Sequence, residues 1–414
     1  MKTHSTHFDV VVIGGGASGL MAAGVAASRG KKVLIVEKNK DLGKKLKITG
    51  GGRCNITNAE FDEKLLLKNY KSAEKFLYSP FSQFGVEDTF KFFEEKGLPI
   101  VVEAKKRAFP ETQSAMDVYN VLDKYVKDQH VEIKKESPIV KINTKGDKIV
   151  SVESKDMRFT GNSFILAVGG KSRPETGSTG DGFGWLSRLG HTVKQPSPDI
   201  VPIEVSTSWV KELSGTSLSF MEISFYADDK KQFSKKGKIL FTHFGLSGPL
   251  ILNSSQEVGK LLEWGDVEAR IDAYPDTEFP ALEKKVLKAL DENKNKDFKN
   301  VYPEIAPEGL ADATLGVLGF DADKKCHSVT KEERKKIVHF LKAMPIKIRG
   351  LMGYDRAVVA DGGVALEEVD TKTMQSRKIE NLYLTGDILN IVRPSGGYSL
   401  QICWTTGYVA GMNA

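Results

Sequence analysis

Residues 9–30 read DVVVIGGGASGLMAAGVAASRG. An unbroken apolar run of the kind a buried parallel strand carries meets a glycine cluster and continues into an alanine-rich segment, which reads as strand, glycine turn and helix. The glycines fall as Gly14-x-Gly16-x-x-Gly19. The first permits a tight turn, the second lets a pyrophosphate approach the backbone, and the third lets the helix lie close to the strand. Free amides at the helix start, around Ala17 and Ser18, then face the phosphates.

Ala23 keeps that helix slim and Gly30 ends it. A second strand, KKVLIVEK at 31–38, carries Glu37 followed by Lys38. An acidic side chain about 20 residues beyond the glycines is where a ribose diol is hydrogen-bonded, and it argues against a 2′-phosphate there. The segment is therefore read as a dinucleotide site. It fits FAD and NAD equally, since both carry an ADP half.

The rest of the chain bounds the answer. Its 414 residues allow two or three domains, and 40% hydrophobic with 28% charged residues is ordinary globular composition. Sixty Lys and Arg against 54 Asp and Glu leave +6, spread along the chain, which gives no electrostatic case for a nucleic-acid partner. Cys54, Cys326 and Cys403 are odd in number, widely spaced and without a C-x-x-C, as in a reduced cytoplasmic protein; no metal site is expected. Lys2 ahead of the apolar Val10–Ala27 region mimics a signal peptide, but Asp9 and the glycines interrupt it. No stretch reaches the roughly 18 uninterrupted apolar residues of a membrane helix, so a soluble, cytoplasmic protein is expected.

Further glycine clusters mark further sites. LKITGGGRCNITN at 46–58 has three consecutive glycines, which suit positive φ or close approach of another body to bare backbone. From 131 to 160 apolar positions alternate around a turn at Lys145-Gly146-Asp147, as in a β-meander, before the buried strand SFILAVGG. NLYLTGD at 381–387 is a short strand closing on Asp387, and Gly396-Gly397-Tyr398 opens a final helix. A helix N-terminus there would favour an anionic ring.

Together LKITGGGRCNITN, GSTGDGFGWLSRLGH (177–191), FTHFGLSGP (241–249), ADGGV (360–364), TMQSRKIENLYLTGD (373–387) and PSGGYSLQ (394–401) resemble one family. It is that of bacterial NAD(P)/FAD-dependent oxidoreductases, with aminoacetone-oxidase-like and bile-acid-pathway members. The meander is similar to that of glutathione-reductase-type flavoproteins, and Thr179-Gly180-Asp181 resembles a segment of the succinate dehydrogenase and fumarate reductase flavoproteins.

The resemblance implies an α/β fold: a Rossmann-like FAD domain (1–192 and 345–414) interrupted by a β-barrel insert (193–274 and 326–344) that carries a small helical subdomain (275–325). Independently, 200–260 is turn-rich and strand-like, whereas FPALEKKVLKAL, APEGLADATLGVL and TKEERKKIVHFLKAM have helical spacing. Thr330 with Glu333 forms a capping box, and Ile337, Leu341 and Met344 form one apolar stripe.

The resemblance also implies FAD as cofactor, with Lys45, Thr49, Gly50, Gly51, Gly52, Arg53 and Asn55 along it. Val140, Ala167, Gly169, Gly170, Thr179 and Asp181 join from the middle of the chain. Gly386, Asp387, Gly396, Gly397, Tyr398 and Ser399 follow near its end, with Asp387 on the flavin ribitol. Many relatives have Glu where this chain has Asp387, and an Asp-Gly-rich loop where it reads Leu389-Asn390-Ile391-Val392-Arg393-Pro394.

Within this frame His243 is a candidate acid or base and Arg393 a candidate hold for an anionic substrate group. Cys54 is either a redox thiol or a small packed residue. The implied activity is hydride transfer between a small organic substrate and FAD. With a single fingerprint present, NAD(P)H enters only as a transient co-substrate, and oxygen is the other possible partner. Two other readings are a flavin-containing tRNA-modifying protein and a non-catalytic, redox-sensing interaction module.

Overall fold

The computed structural model describes residues 7–414. Val10, Val11 and Val12 of the first strand (His7–Ile13) have no solvent exposure, because parallel strands cover both edges. On one side Val10 to Ile13 pair with Val33 to Val36; on the other Val10 to Ile13 pair with Ser163 to Leu166. An all-apolar strand with no polar alternation is what that central place requires.

The sheet runs Glu132–Lys134, Val33–Val36, His7–Ile13, Arg158–Leu166, Lys148–Glu153, Lys141–Lys145, and Leu382–Leu384 also pairs with Arg158–Leu166. The meander is thus Lys141–Lys145, Lys148–Glu153 and Arg158–Leu166, antiparallel, with Gly146 at φ +57 in its turn. Residues 132–134, read from sequence as part of the meander, instead pair in parallel with Leu34 to Val36 at the sheet's edge. The long third strand serves both arrangements, since Phe159 pairs backwards with Val152 while Phe164 pairs forwards with Leu382.

Two helices cover this sheet's centre. Ala17–Ser28 follows the glycine turn, and Tyr398–Asn413 lies against it over small residues. A Cβ on Gly407 would sit 2.6 Å from the Ser18 carbonyl oxygen, and one on Gly411 would sit 2.5 Å from that of Ala22. Glycines four apart put a bare stripe on one face, which lets the two helix backbones touch.

The chain divides into two compact units, one running through Pro198 and resuming at Tyr354–Ala414, the other Asp199–Gly353. The first reaches beyond the boundary expected at 192, because Val193–Asp199 pairs with Val359–Val364. The second reaches beyond 344 because Met344–Leu351 is a strand of its own sheet. Met344, read as the end of a helical stripe, therefore opens a strand; the helix stops at Lys342, with Ala343 at φ -155.

In the second unit six strands pair in a closed ring: Ile203–Val205, Gly245–Ser247, Lys230–Thr242, Ser217–Ala227, Val267–Asp272 and Met344–Leu351. Helices Phe279–Glu292, Phe298–Ile305 and Lys331–Lys342 share its core, where Leu282, Val286 and Tyr302 cluster with Ile223 and Phe225. The Thr330 capping box forms: its hydroxyl accepts from Glu333 N at 3.2 Å, and Glu333 accepts from Thr330 N at 2.8 Å. No helix of the described residues is long and apolar enough to cross a membrane.

Candidate functional site

A cleft with about 1190 Å³ of space, part of it shared with solvent, opens at Ile13 and Val36, which end their strands, and at Ala167, which follows the strand Arg158–Leu166. This is the crevice where open α/β sheets take ligands. Gly14, Gly16, Ala17 and Ser18 line it. Gly14 has φ +104, and a Cβ there would lie 2.6 Å from the Ala167 carbonyl oxygen. A Cβ on Gly16 would meet nothing within 4 Å, so the backbone is bare and the space above it open, as a pyrophosphate needs. Gly19 is not a lining residue. It packs the helix on the Gly14 carbonyl, the role its place in the fingerprint assigns.

Glu37 lines the cleft and is 7% exposed. One carboxylate oxygen accepts the Gly15 N–H at 2.7 Å; the other accepts the backbone N–H and the side-chain Nδ2 of Asn39, both at 2.8 Å. The glutamate thus braces the glycine turn as well as facing the cleft. Lys38 and Asp181 also line it and are joined, Lys38 Nζ donating to Asp181 at 2.8 Å and to the Thr179 hydroxyl at 2.5 Å. Burial pushes the Asp181 carboxyl up, but the bonds from Lys38 and Thr179 outweigh it and hold it below its usual range. Thr179 itself is exposed and supports the pair from outside the lining.

At the other end stand Lys45, Thr49, Asp387 and Ser399. Lys45 Nζ donates to the Ser172 hydroxyl at 2.5 Å and to Asp387 at 3.1 Å. The second Asp387 oxygen is ion-paired with Arg393. Burial alone would raise the Asp387 carboxyl; Lys45 and Arg393 overcome it and hold it ionised.

Several sequence-nominated residues lie outside this lining. Gly50, Gly51 and Gly52 are exposed, with φ of +59, +68 and +89: the run serves a left-handed turn, and Leu46 and Thr49 are the members of the loop that reach the cleft. Arg53 turns elsewhere, bonding Gln113 at 2.6 Å, pairing with Glu103 and lying 4.1 Å over the Phe109 ring. Asn55 is absent from the lining too, and its buried Oδ1 has no partner. Val140 is 60% exposed and outside the lining; its neighbours Ser137, Pro138 and Ile139 line the cleft.

Gly170 backs the Asp387 carbonyl, Gly386 donates its N–H to Thr406, and Gly397 presses on Thr57. Gly396 and Tyr398 stand beside them, the Tyr398 carbonyl accepting from Tyr70 at 3.1 Å. These shape the wall from behind. Gly169 and Ala167 do line the cleft.

The two catalytic candidates belong to different units. His243 is exposed in the 199–353 unit, stacked edge-on with Phe244, and is not a lining residue. Arg393 is 4% exposed with its guanidinium occupied by Asp387, the Ser399 hydroxyl at 2.9 Å and the Ile391 carbonyl at 2.5 Å, which leaves no fork free for a substrate anion.

Residues that sequence reasoning missed include Gly43, Lys44, Trp185, Leu400 and Cys403. Lys44 was signalled by its neighbour Lys45. Cys403 had no signal beyond its place one turn into the last helix. Burial pushes its thiol up to about 12, with the Asp387 charge adding and Arg393 and Lys45 opposing. Cys54 is fully buried, likewise at about 12 through burial, and outside the lining, so it is a packed residue.

A glycine turn bare to open space, a buried glutamate facing the cleft and a cation-held aspartate suit an adenine-flavin dinucleotide, and the class is that of FAD-dependent flavoprotein oxidoreductases. The chain belongs to the HI0933-like protein Rossmann domain family, whose model matches residues 8–413. It is 29% identical over 412 residues to a 3-dehydro-bile acid delta(4,6)-reductase of Clostridium scindens, covering 97% of this chain and 98% of that protein. It is 25% identical over 407 residues to a ribosomal RNA dihydrouridine synthase of Escherichia coli, covering 98% of each. Among solved structures, 3-ketosteroid-delta4-(5alpha)-dehydrogenase from Rhodococcus jostii superposes with a TM-score of 0.57 at 13% identity, over 100% of this chain and 97% of that one.

Proposed function

We propose that this enzyme saturates a carbon–carbon double bond conjugated to a carbonyl in a small organic molecule, with NAD(P)H as the electron source. The observation that carries this reading is end-to-end similarity to a delta(4,6)-reductase in a chain whose cleft keeps the dinucleotide features intact. FAD, when bound, supplies the two-electron chemistry. The chain's own residues then have limited tasks. Amides at Gly16 to Ser18 hold the pyrophosphate, Glu37 holds the ribose diol, and Asp387 with Lys45 holds the polyol. Trp185, Ile139 and Leu400 exclude water from parts of the wall.

The 199–353 unit is read as an inserted barrel with attached helices, a reading its ring of strand pairs supports. Three unpaired cysteines support a reducing compartment, the cytoplasm.

A second reading has one specific observation behind it, the full-length similarity to ribosomal RNA dihydrouridine synthases: the double bond is then that of a uracil ring in RNA. One experiment separates the two. FAD-loaded enzyme is reduced anaerobically with NADPH or NADH and offered a panel of cyclic enones or unmodified ribosomal RNA, and return of the oxidised flavin spectrum is followed. Reoxidation by an enone, with its saturated product, supports the first reading. Reoxidation by RNA alone replaces it, and reoxidation by neither removes both.

A further inference from the structure

Arg393 stands behind the cleft wall, and its one guanidinium touches two residues that face the cleft from different elements. It pairs with Asp387, after the strand Leu382–Leu384, and its Nε donates to Ser399 in the first turn of the last helix at 2.9 Å. Its Nη1 is tied to the Ile391 carbonyl at 2.5 Å, which closes the intervening loop onto the same centre. Lys45, from a third segment, takes the other Asp387 oxygen at 3.1 Å. A planar fork with fixed donor directions can bridge two acceptors in this way; a lysine ammonium on a flexible stem cannot reproduce it.

We propose that Arg393 is a positioning residue of the cofactor site: it fixes the Asp387 carboxylate and the Ser399 turn relative to each other, so that both are aligned for the FAD polyol. This rests on the reading of the cleft as an FAD site, and it assigns the residue to the cofactor and not to a substrate anion. The groups facing Asp387 are Lys45, Arg393 and the neutral Cys403 thiol, with the Tyr70 phenol near Arg393. Without Arg393, burial favours the neutral acid and only Lys45 opposes it. Asp387 then takes up a proton at a higher pH than in the intact protein, and loses acceptor capacity as it does so.

The test is FAD titration of the apoprotein from about pH 8 to about pH 5, followed by flavin fluorescence, for the wild type, R393Q and R393K. The wild-type Kd should stay flat across this range. R393Q should bind about tenfold more weakly at neutral pH, the loss of one charge-assisted bond, and weaken further as pH falls. R393K restores the charge but not the fork, so it should regain the flat profile while staying weaker than wild type. If R393Q does not fold, R393K alone decides: wild-type affinity in R393K overturns the proposal. Wild-type Kd and profile in R393Q, with only the melting temperature or a substrate KM altered, also overturn it. A wild-type protein that binds no FAD at any pH overturns the reading of the site itself, which is a different result.

Discussion

Gly407 of the last helix meets Ser18 of the first so closely that a Cβ on Gly407 would lie 2.6 Å from the Ser18 carbonyl oxygen. Ser18 also faces the cleft, so the packing of two helices and the shape of the phosphate turn are one problem. G407A must push the helices apart, at a cost of about 1–3 kcal/mol. Thermal unfolding should show a lower Tm, and FAD titration a weaker Kd. The control is G316A: Gly316 has φ -64, a methyl added there would meet nothing within 4 Å, and the variant should be neutral or slightly stabilising. Equal behaviour of the two variants would sink the packing argument.

Glu37 accepts three N–H donors with its two oxygens. E37Q replaces one acceptor by an NH2 group that faces a donor, so the turn at Gly15 or the Asn39 bond is lost. FAD affinity should fall about tenfold, the worth of one bond to a charged acceptor. Isothermal titration of apoprotein with FAD checks this, and an unchanged Kd would remove Glu37 from the cofactor site.

His191 is 4% exposed, bonded through Nε2 to the Ser376 hydroxyl at 2.8 Å, while its Nδ1 has no partner. Burial lowers its affinity for a proton, Glu368 partly restoring it and Lys378 opposing. The unfolded chain therefore binds the proton more readily than the folded one. Stability is fully present above about pH 6.5 and declines as pH falls through the folded value. Urea midpoints should drop on acidification across this window, and H191F should flatten that slope. In the variant Ser376 keeps the two bonds it accepts from Lys378 N and Ile379 N and loses the acceptor of its own O–H, which lowers stability at every pH without adding a slope. A slope unchanged by H191F would assign the acid sensitivity to carboxylates instead.

The Cys54 and Cys403 thiols, each pushed up to about 12, are protonated at neutral pH. Neither should be alkylated by iodoacetamide in the native protein, and both should react once it is unfolded, as peptide mass spectrometry would show. C403A should still turn over. Loss of turnover in C403A with FAD still bound would give that thiol a chemical role, contrary to this expectation.

The glycine-turn half of the cleft was legible because it is local. Strand, turn, helix and the following Glu37 occupy a continuous stretch, and a fingerprint of glycines is a backbone requirement that sequence records directly. Asp387, Lys45 and Ser399 were reached through a resemblance, and they converge on the cleft together with Thr49, Ala167 and Gly169. The Gly50–Gly52 run was read as bare backbone against a cofactor; positive φ, the other reason for such a run, is what the structure shows. Val140 was also reached through the resemblance, and it is its neighbours Ser137, Pro138 and Ile139, on an irregular segment that no periodicity marks, that line the cleft.

The amino-acid sequence by itself determined the buried parallel strand, the bare turn above it and the helix that follows. These depend on residues within one βαβ stretch, where chain connectivity leaves little choice of arrangement. Only the tertiary structure decided what Arg393 does, because a guanidinium on a loop reads the same whether it faces solvent, a substrate or a buried carboxylate. Its partners Asp387 and Ser399 lie nearby along the chain, but their orientation, and the approach of Lys45 from more than three hundred residues away, are set by the folding of distant segments onto one centre.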